Sequence, residues 1–307
     1  MRRSAWRIAQ VVLGILVVAL AARQVLANWH AVRSTPFTWR VQPLLLVLSV
    51  LVVWAMYALL VATWRLLVER WGGRLTMREA ASIWTVSSLG KYVPGKVWAI
   101  AGMAVLARRV GVPPWIATGA AVLNQVLAIG AGAVVVAITG TSLLEGRFPW
   151  IRTAMWIVLG LVVVGVLVLS STDMVRRVLT AAGVEAGDTA GPPLGALLTA
   201  AVANVLAWSG YGVALWLLAR GLTEVPLPLG LAIGAFAASY LIGFLALIAP
   251  AGLGVREGVF ILMLDHAVGT PAAVALAVAS RLLLTVTELG AAVPFLLSPR
   301  ERSRVAP

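Results

Sequence analysis

Only two of the 24 basic residues are lysines, and both flank one interruption, Gly90-Lys-Tyr-Val-Pro-Gly-Lys-Val-Trp98. Pro94 and Gly95 break a helix there and free backbone polar groups. Inside a bilayer such groups persist only when buried in protein or lining a wet cavity. An ammonium is a compact charge suited to a phosphate oxygen. A helix opening near Lys96 would aim its first N–H groups at the same place. Lys91, Tyr92 and Lys96 are therefore candidate ligands for an anionic group. The plainer alternative is an interfacial turn whose lysines reach out to lipid headgroups.

A second interruption is Pro250-Ala-Gly-Leu-Gly-Val-Arg-Glu-Gly258. Pro250, Gly252 and Gly254 allow a tight turn between apolar helices and place Arg256 and Glu257 at or within the membrane. Charges there are costly and point to function by default. The structural alternative is a neutralising ion pair. Neighbours in sequence do not face each other on a helix, so each charge is expected to pair elsewhere.

A third group lies on the last apolar stretch, where Arg281, Thr285 and Glu288 fall at i, i+4 and i+7 on one helix face. The Arg281 guanidinium can grip a phosphate bidentately, or instead form a salt bridge to Glu257 or Glu288. Asn124 and Gln125 serve either as interhelical glue or as cavity lining. Asn204, Trp208 and Tyr211 share a face that reads as packing. Asp265 and His266 are expected in a surface loop, and Trp29, Trp39, Trp115 and Trp150 near helix ends as interfacial anchors.

These residues sit in a chain of 307 residues that is 61% hydrophobic and 11% charged, with mean hydropathy +0.99. Soluble domains carry roughly 45–50% apolar and about 25% charged residues. Segments such as Ile157–Leu169 and Leu44–Trp54 have no polar face, so the fold class is an all-α polytopic membrane protein. The net charge of +13 collects in short loops, which fits the positive-inside bias better than nucleic-acid binding. The absence of cysteine and the presence of just two histidines exclude thiol chemistry and leave no metal-ligand spacing. No cofactor or metal is expected.

The helical stretches form two groups. The first has helices at about 8–27, 43–68, 78–90, 96–108 and 114–139, with the break at Lys91–Gly95. The second has 150–171, 193–219, 228–248, 255–266 and 271–297, with the break at Ala249–Gly254. Each group has two spans, a broken or re-entrant pair and a final span. Asn124 and Arg281 each lie ten residues past the proline that opens the final span. The chain thus reads as a single transmembrane domain over 1–307. Repeat one covers about 5–140, repeat two about 148–298, and a basic cytoplasmic tail 299–307. The N-terminal stretch resembles a signal peptide but is expected to stay as the first span. With both termini in the cytoplasm, Arg65, Arg70, Arg108 and Arg176 fall inside and few arginines outside. The repeats are then inverted, an arrangement typical of secondary transporters.

Catalysis finds little support: no serine elbow with histidine, no close carboxylate pair in a polar loop and no phosphate-binding glycine motif after a strand.

Lys91-Tyr-Val-Pro-Gly-Lys-Val-Trp98, the following Arg108 and Pro250-Ala-Gly-Leu-Gly-Val-Arg-Glu-Gly258 resemble the flippase-like transmembrane family, the membrane domain of lysylphosphatidylglycerol synthase/flippase. The resemblance runs over about 5–300, and Ala251 replaces one glycine of the second motif. It implies movement of lipid headgroups between leaflets. The sequence stops at Pro307, before the soluble aminoacyltransferase domain of the synthase/flippase, and lysyl transfer is not expected of it. Other members are similar to partners in cell-envelope glycan assembly, with a polyprenyl-phosphate sugar as cargo.

The expected function is a lipid translocase for an anionic or polyprenyl-phosphate-linked glycolipid headgroup in a bacterial or archaeal cytoplasmic membrane, and not an enzyme. Two alternatives are a scaffold for an envelope glycosyltransferase and a membrane transferase using Glu257 as base.

Overall fold

A computed structural model describes residues 40–92, 97–139, 191–245, 252 and 254–297, with scattered positions between 153 and 164. The expected first span at 8–27, the tail 299–307, most of 150–171, and Pro94, Gly95, Lys96 and Pro250 lie outside the described residues, as does the side chain of Tyr92.

Among the described residues every regular element is helical. In chain order these are α1 (Pro43–Arg70), α2 (Met77–Ser88), a short 3-10 turn (Leu89–Tyr92), α3 (Val97–Arg109), α4 (Pro114–Thr139), α5 (Leu194–Leu222), α6 (Leu229–Leu245), α7 (Val255–Val268) and α8 (Thr270–Leu297). Four of them, α1, α4, α5 and α8, are long and apolar enough to cross a membrane. Leu44, Val47, Leu51 and Trp54 on α1, and Leu194, Leu198, Val202 and Leu206 on α5, are exposed, as helix faces bathed in hydrocarbon should be.

Local sequence sets the ends. Proline opens α1 and α4 at the first helical turn, where its missing N–H costs nothing. Thr76 and Glu79 close a reciprocal cap on α2: the Glu79 N–H donates to Thr76 Oγ1 at 3.2 Å, and the Thr76 N–H to Glu79 Oε2 at 2.8 Å. α7 runs on to Val268, so Asp265 and His266 lie in its last turn and not in a loop. The apolar period carries through them until Gly269 takes φ +80 and stops the helix.

Two apolar cores hold the helices together. One joins α1, α2, α3, α4 and the start of α5 around Trp64, Leu67 and Leu123; the other joins α4, α5, α6, α7 and α8 around Leu215, Phe260 and Leu276. Indole N–H groups lock helix to backbone across them. Trp64 donates to the Ala117 carbonyl at 3.1 Å, Trp208 to Ala128 at 2.8 Å and Trp54 to Thr287 at 3.1 Å. Trp115 at the start of α4 packs edge-on against Trp71, just past the end of α1, and so ties the two helix ends together. Asn204 donates to the Asn124 side chain at 3.0 Å, both residues buried. Of the two expected roles for Asn124, glue between helices is the one it fills here.

Each interruption folds back on itself through glycine. A Cβ on Gly90 would lie 2.6 Å from the Ala99 backbone nitrogen, so the arm before the first break packs directly on the arm after it. In the second, Gly252 takes φ +69, and a Cβ there would meet the Gly243 carbonyl oxygen at 2.9 Å. In both pairs the segments before and after the break pack against each other, with Lys91, Arg256 and Glu257 close to the breaks.

Candidate functional site

The tips of both hairpins rest on α8, at different heights. Ser280 and Arg281 face the second hairpin, and Glu288, seven residues on, faces the first. At 1.5 Å per residue the two contacts are about 10 Å apart along the helix. The predicted stripe of Arg281, Thr285 and Glu288 is thus turned inward, with Thr285 and Glu288 buried.

At the first hairpin, the 3-10 turn carries Lys91 inward, and its Nζ pairs with Glu288 Oε1. The Glu288 side chain is 4% exposed and that of Lys91 30%. Tyr57 on α1 and Tyr211 on α5 stand close enough to feel the same carboxylate. A charge this deep is tolerable only with a partner and hydrogen bonds.

At the second hairpin, Arg281 Nη1 pairs with Glu257 Oε1; these side chains are 14% and 15% exposed. Glu257 Oε2 also accepts the Gly254 N–H at 2.8 Å, capping α7. Of the two acceptors the sequence offered Arg281, it takes Glu257, because Glu288 is engaged two turns further along.

Arg256 behaves differently. Its guanidinium lies over Phe236 at 5.4 Å and Tyr240 at 5.0 Å, and Nη2 stands 3.4 Å from Ser280 Oγ. It makes no salt bridge among the described residues. The aromatic faces and a hydroxyl hold the plane of the guanidinium and leave hydrogen-bond donors over.

An aromatic ladder connects the two levels. Tyr57 meets Tyr211 edge-on at 6.3 Å, Tyr211 stacks on Phe236 at 5.4 Å and Phe236 on Tyr240 at 6.0 Å. The sequence reading put Tyr211 down to packing and passed over Tyr57, Phe236 and Tyr240. A signal was present: the chain has four tyrosines, and the three whose side chains are described converge here.

Lys91, Arg256, Glu257, Arg281 and Glu288 thus fall into two groups along α8, Lys91 with Glu288 at one level and Arg256, Glu257 and Arg281 at the other. Asn124 stands apart in its pair with Asn204, and Gly252 and Gly254 shape the second tip. Among the described residues no three His, Asp or Glu side chains group to hold a metal.

Apolar spans with charged hairpins gripping a central helix define a multi-pass helical membrane protein with a polar site in its interior. The chain belongs to the family described as the lysylphosphatidylglycerol synthase TM region, whose model matches residues 7–290. No curated protein was found to match the chain.

Proposed function

We propose that the protein is a translocase that moves an anionic or polyprenyl-phosphate-linked glycolipid headgroup across the cytoplasmic membrane of a bacterium or archaeon during envelope biogenesis. It carries out no covalent chemistry. The observation that carries this reading is Arg256, a half-buried guanidinium framed by Phe236, Tyr240 and Ser280 with no salt bridge among the described residues. A cation set within apolar helices and left short of an anion suits a phosphate that arrives from outside. Arg281 on α8 and Lys91, which pairs with Glu288 on the same face of α8, are further contacts for it.

In this reading both termini are cytoplasmic, the two hairpins are re-entrant, and the two halves are inverted repeats. The arms of the first hairpin have 12 and 13 residues. At 1.5 Å per residue they reach about 18–20 Å, short of the ~30 Å hydrocarbon core. A glycine at the close approach of the two arms in each pair, Gly90 before the first break and Gly252 within the second, supports the reading of both as hairpins.

A second reading, a membrane subunit that scaffolds a glycosyltransferase, draws on the internal pairing of Lys91 with Glu288 and Arg281 with Glu257. Such pairs can serve to fix the fold alone. Reconstitution separates the two. Protein-containing liposomes are expected to expose a fluorescent anionic phospholipid to an external quencher faster than protein-free vesicles, by more than tenfold. Equal rates would leave the scaffold.

A further inference from the structure

Glu257 bonds in two directions at once. One oxygen accepts the backbone N–H of Gly254 at 2.8 Å, at the start of α7, and the other holds the Arg281 guanidinium. A guanidinium fork joined to a backbone N–H is the donor set with which proteins hold phosphate. A second guanidinium, Arg256, comes from the adjacent residue and contacts Ser280, the neighbour of Arg281. The Glu257 carboxylate thus pairs with one of two neighbouring cations, Arg281, while Arg256 is held by a hydroxyl and two rings.

The two carboxylates differ in access. Glu288 is sealed at 4% exposure, whereas Glu257 keeps 15%. A ligand can displace the Glu257 carboxylate with less disturbance of the packing around it than the Glu288 carboxylate would require.

We infer that Glu257 is a tethered substitute for the phosphate of the ligand. In the empty site its carboxylate sits between the Gly254 N–H and Arg281. On loading, a phosphate takes over Arg281, and Arg256 supplies the second fork. The inference rests on the translocase reading and names the residue that must yield for cargo to enter. The ligand chemistry is a phosphate group, either on a lipid or free in solution. The carboxylate also sets selectivity, since a weakly charged headgroup cannot displace it.

The test measures binding of short-chain phosphatidic acid and of inorganic phosphate to the full-length chain in detergent. Glu257→Gln keeps the shape and an acceptor for the Gly254 N–H but removes the competing charge. It is expected to tighten phosphatidic acid binding on the order of tenfold, equivalent to ~1.4 kcal/mol. Glu69→Gln removes a surface carboxylate that pairs with Arg65 and is expected to leave affinity unchanged. The gain is expected to vanish in Glu257→Gln/Arg281→Gln. Glu257→Asp, which keeps the charge but shortens its reach, is expected to tighten binding by a smaller factor if the Gln variant does not fold. Wild-type binding with no tightening in either Glu257 variant overturns the inference and spares the translocase reading. Absence of phosphatidic acid binding by wild type and variants alike overturns both. Equal tightening for inorganic phosphate keeps the inference and assigns the site to a free anion, against a lipid cargo.

Discussion

Replacing Lys91 with methionine is expected to lower stability by about 3–5 kcal/mol, the cost of leaving one buried charge without its partner. Glu288 is the reason. Its carboxylate is 4% exposed, and it pairs with the Lys91 ammonium. Water cannot reach it well enough to replace the ammonium. The double variant Lys91→Met/Glu288→Gln is expected to recover more than half of the loss, because no charge is then stranded. Unfolding titrations in mixed detergent would measure both. The exposed pair Arg40–Glu224, at 61% and 59% exposure, offers a contrast, and its removal is expected to cost less than about 1 kcal/mol. If Lys91→Met were as mild as that, Glu288 would not depend on the lysine, and the first hairpin would be held by its glycine contact and its apolar core.

Arg256→Ala is expected to reduce lipid translocation at least tenfold while leaving the thermal midpoint within a few degrees of wild type. The side chain has no carboxylate to strand, so its removal costs mainly the stacking on Phe236 and Tyr240, about 1–2 kcal/mol. Arg256→Lys is expected to do nearly as badly in transport. An ammonium retains the charge but cannot lie flat between two rings and present a fork to phosphate. Flipping of a fluorescent anionic phospholipid in liposomes, normalised to incorporated protein, reads the effect. Undiminished rates in both variants would remove Arg256 from the cargo path, and with it the strongest support for the translocase reading.

Element positions were legible because proline and glycine punctuate this sequence heavily. The helix expected at 43–68 runs Pro43–Arg70, and that at 271–297 runs Thr270–Leu297. Hydrophobic length and helix-breaking residues act locally, so a linear reading captures them. The inward stripe on α8 follows from 3.6-residue periodicity alone. Which charge meets which partner was not legible in the same way. Lys91 and Glu288 are separated by 197 positions, and only the packing of the first hairpin against α8 joins them. The aromatic framing of Arg256 draws on α6 and α7 together and has no local pattern. Asp265 and His266 were misplaced because polarity near a helix end resembles a loop, although Gly269 lies further on. The partner of Asn124 was hidden likewise, since Asn204 lies 80 positions away.

Because α8 is gripped by both hairpins, it is a route by which one grip can act on the other. By thermodynamic linkage any such coupling is reciprocal: an occupant that loosens α8 from one hairpin and thereby alters its hold on the second does so by the same free energy, whichever is engaged first. Two doors hung on a single post share whatever movement the post allows. A double-mutant cycle between Glu257→Gln and Glu288→Gln would give the size and sign of that exchange, and strict additivity would mean that the post transmits nothing.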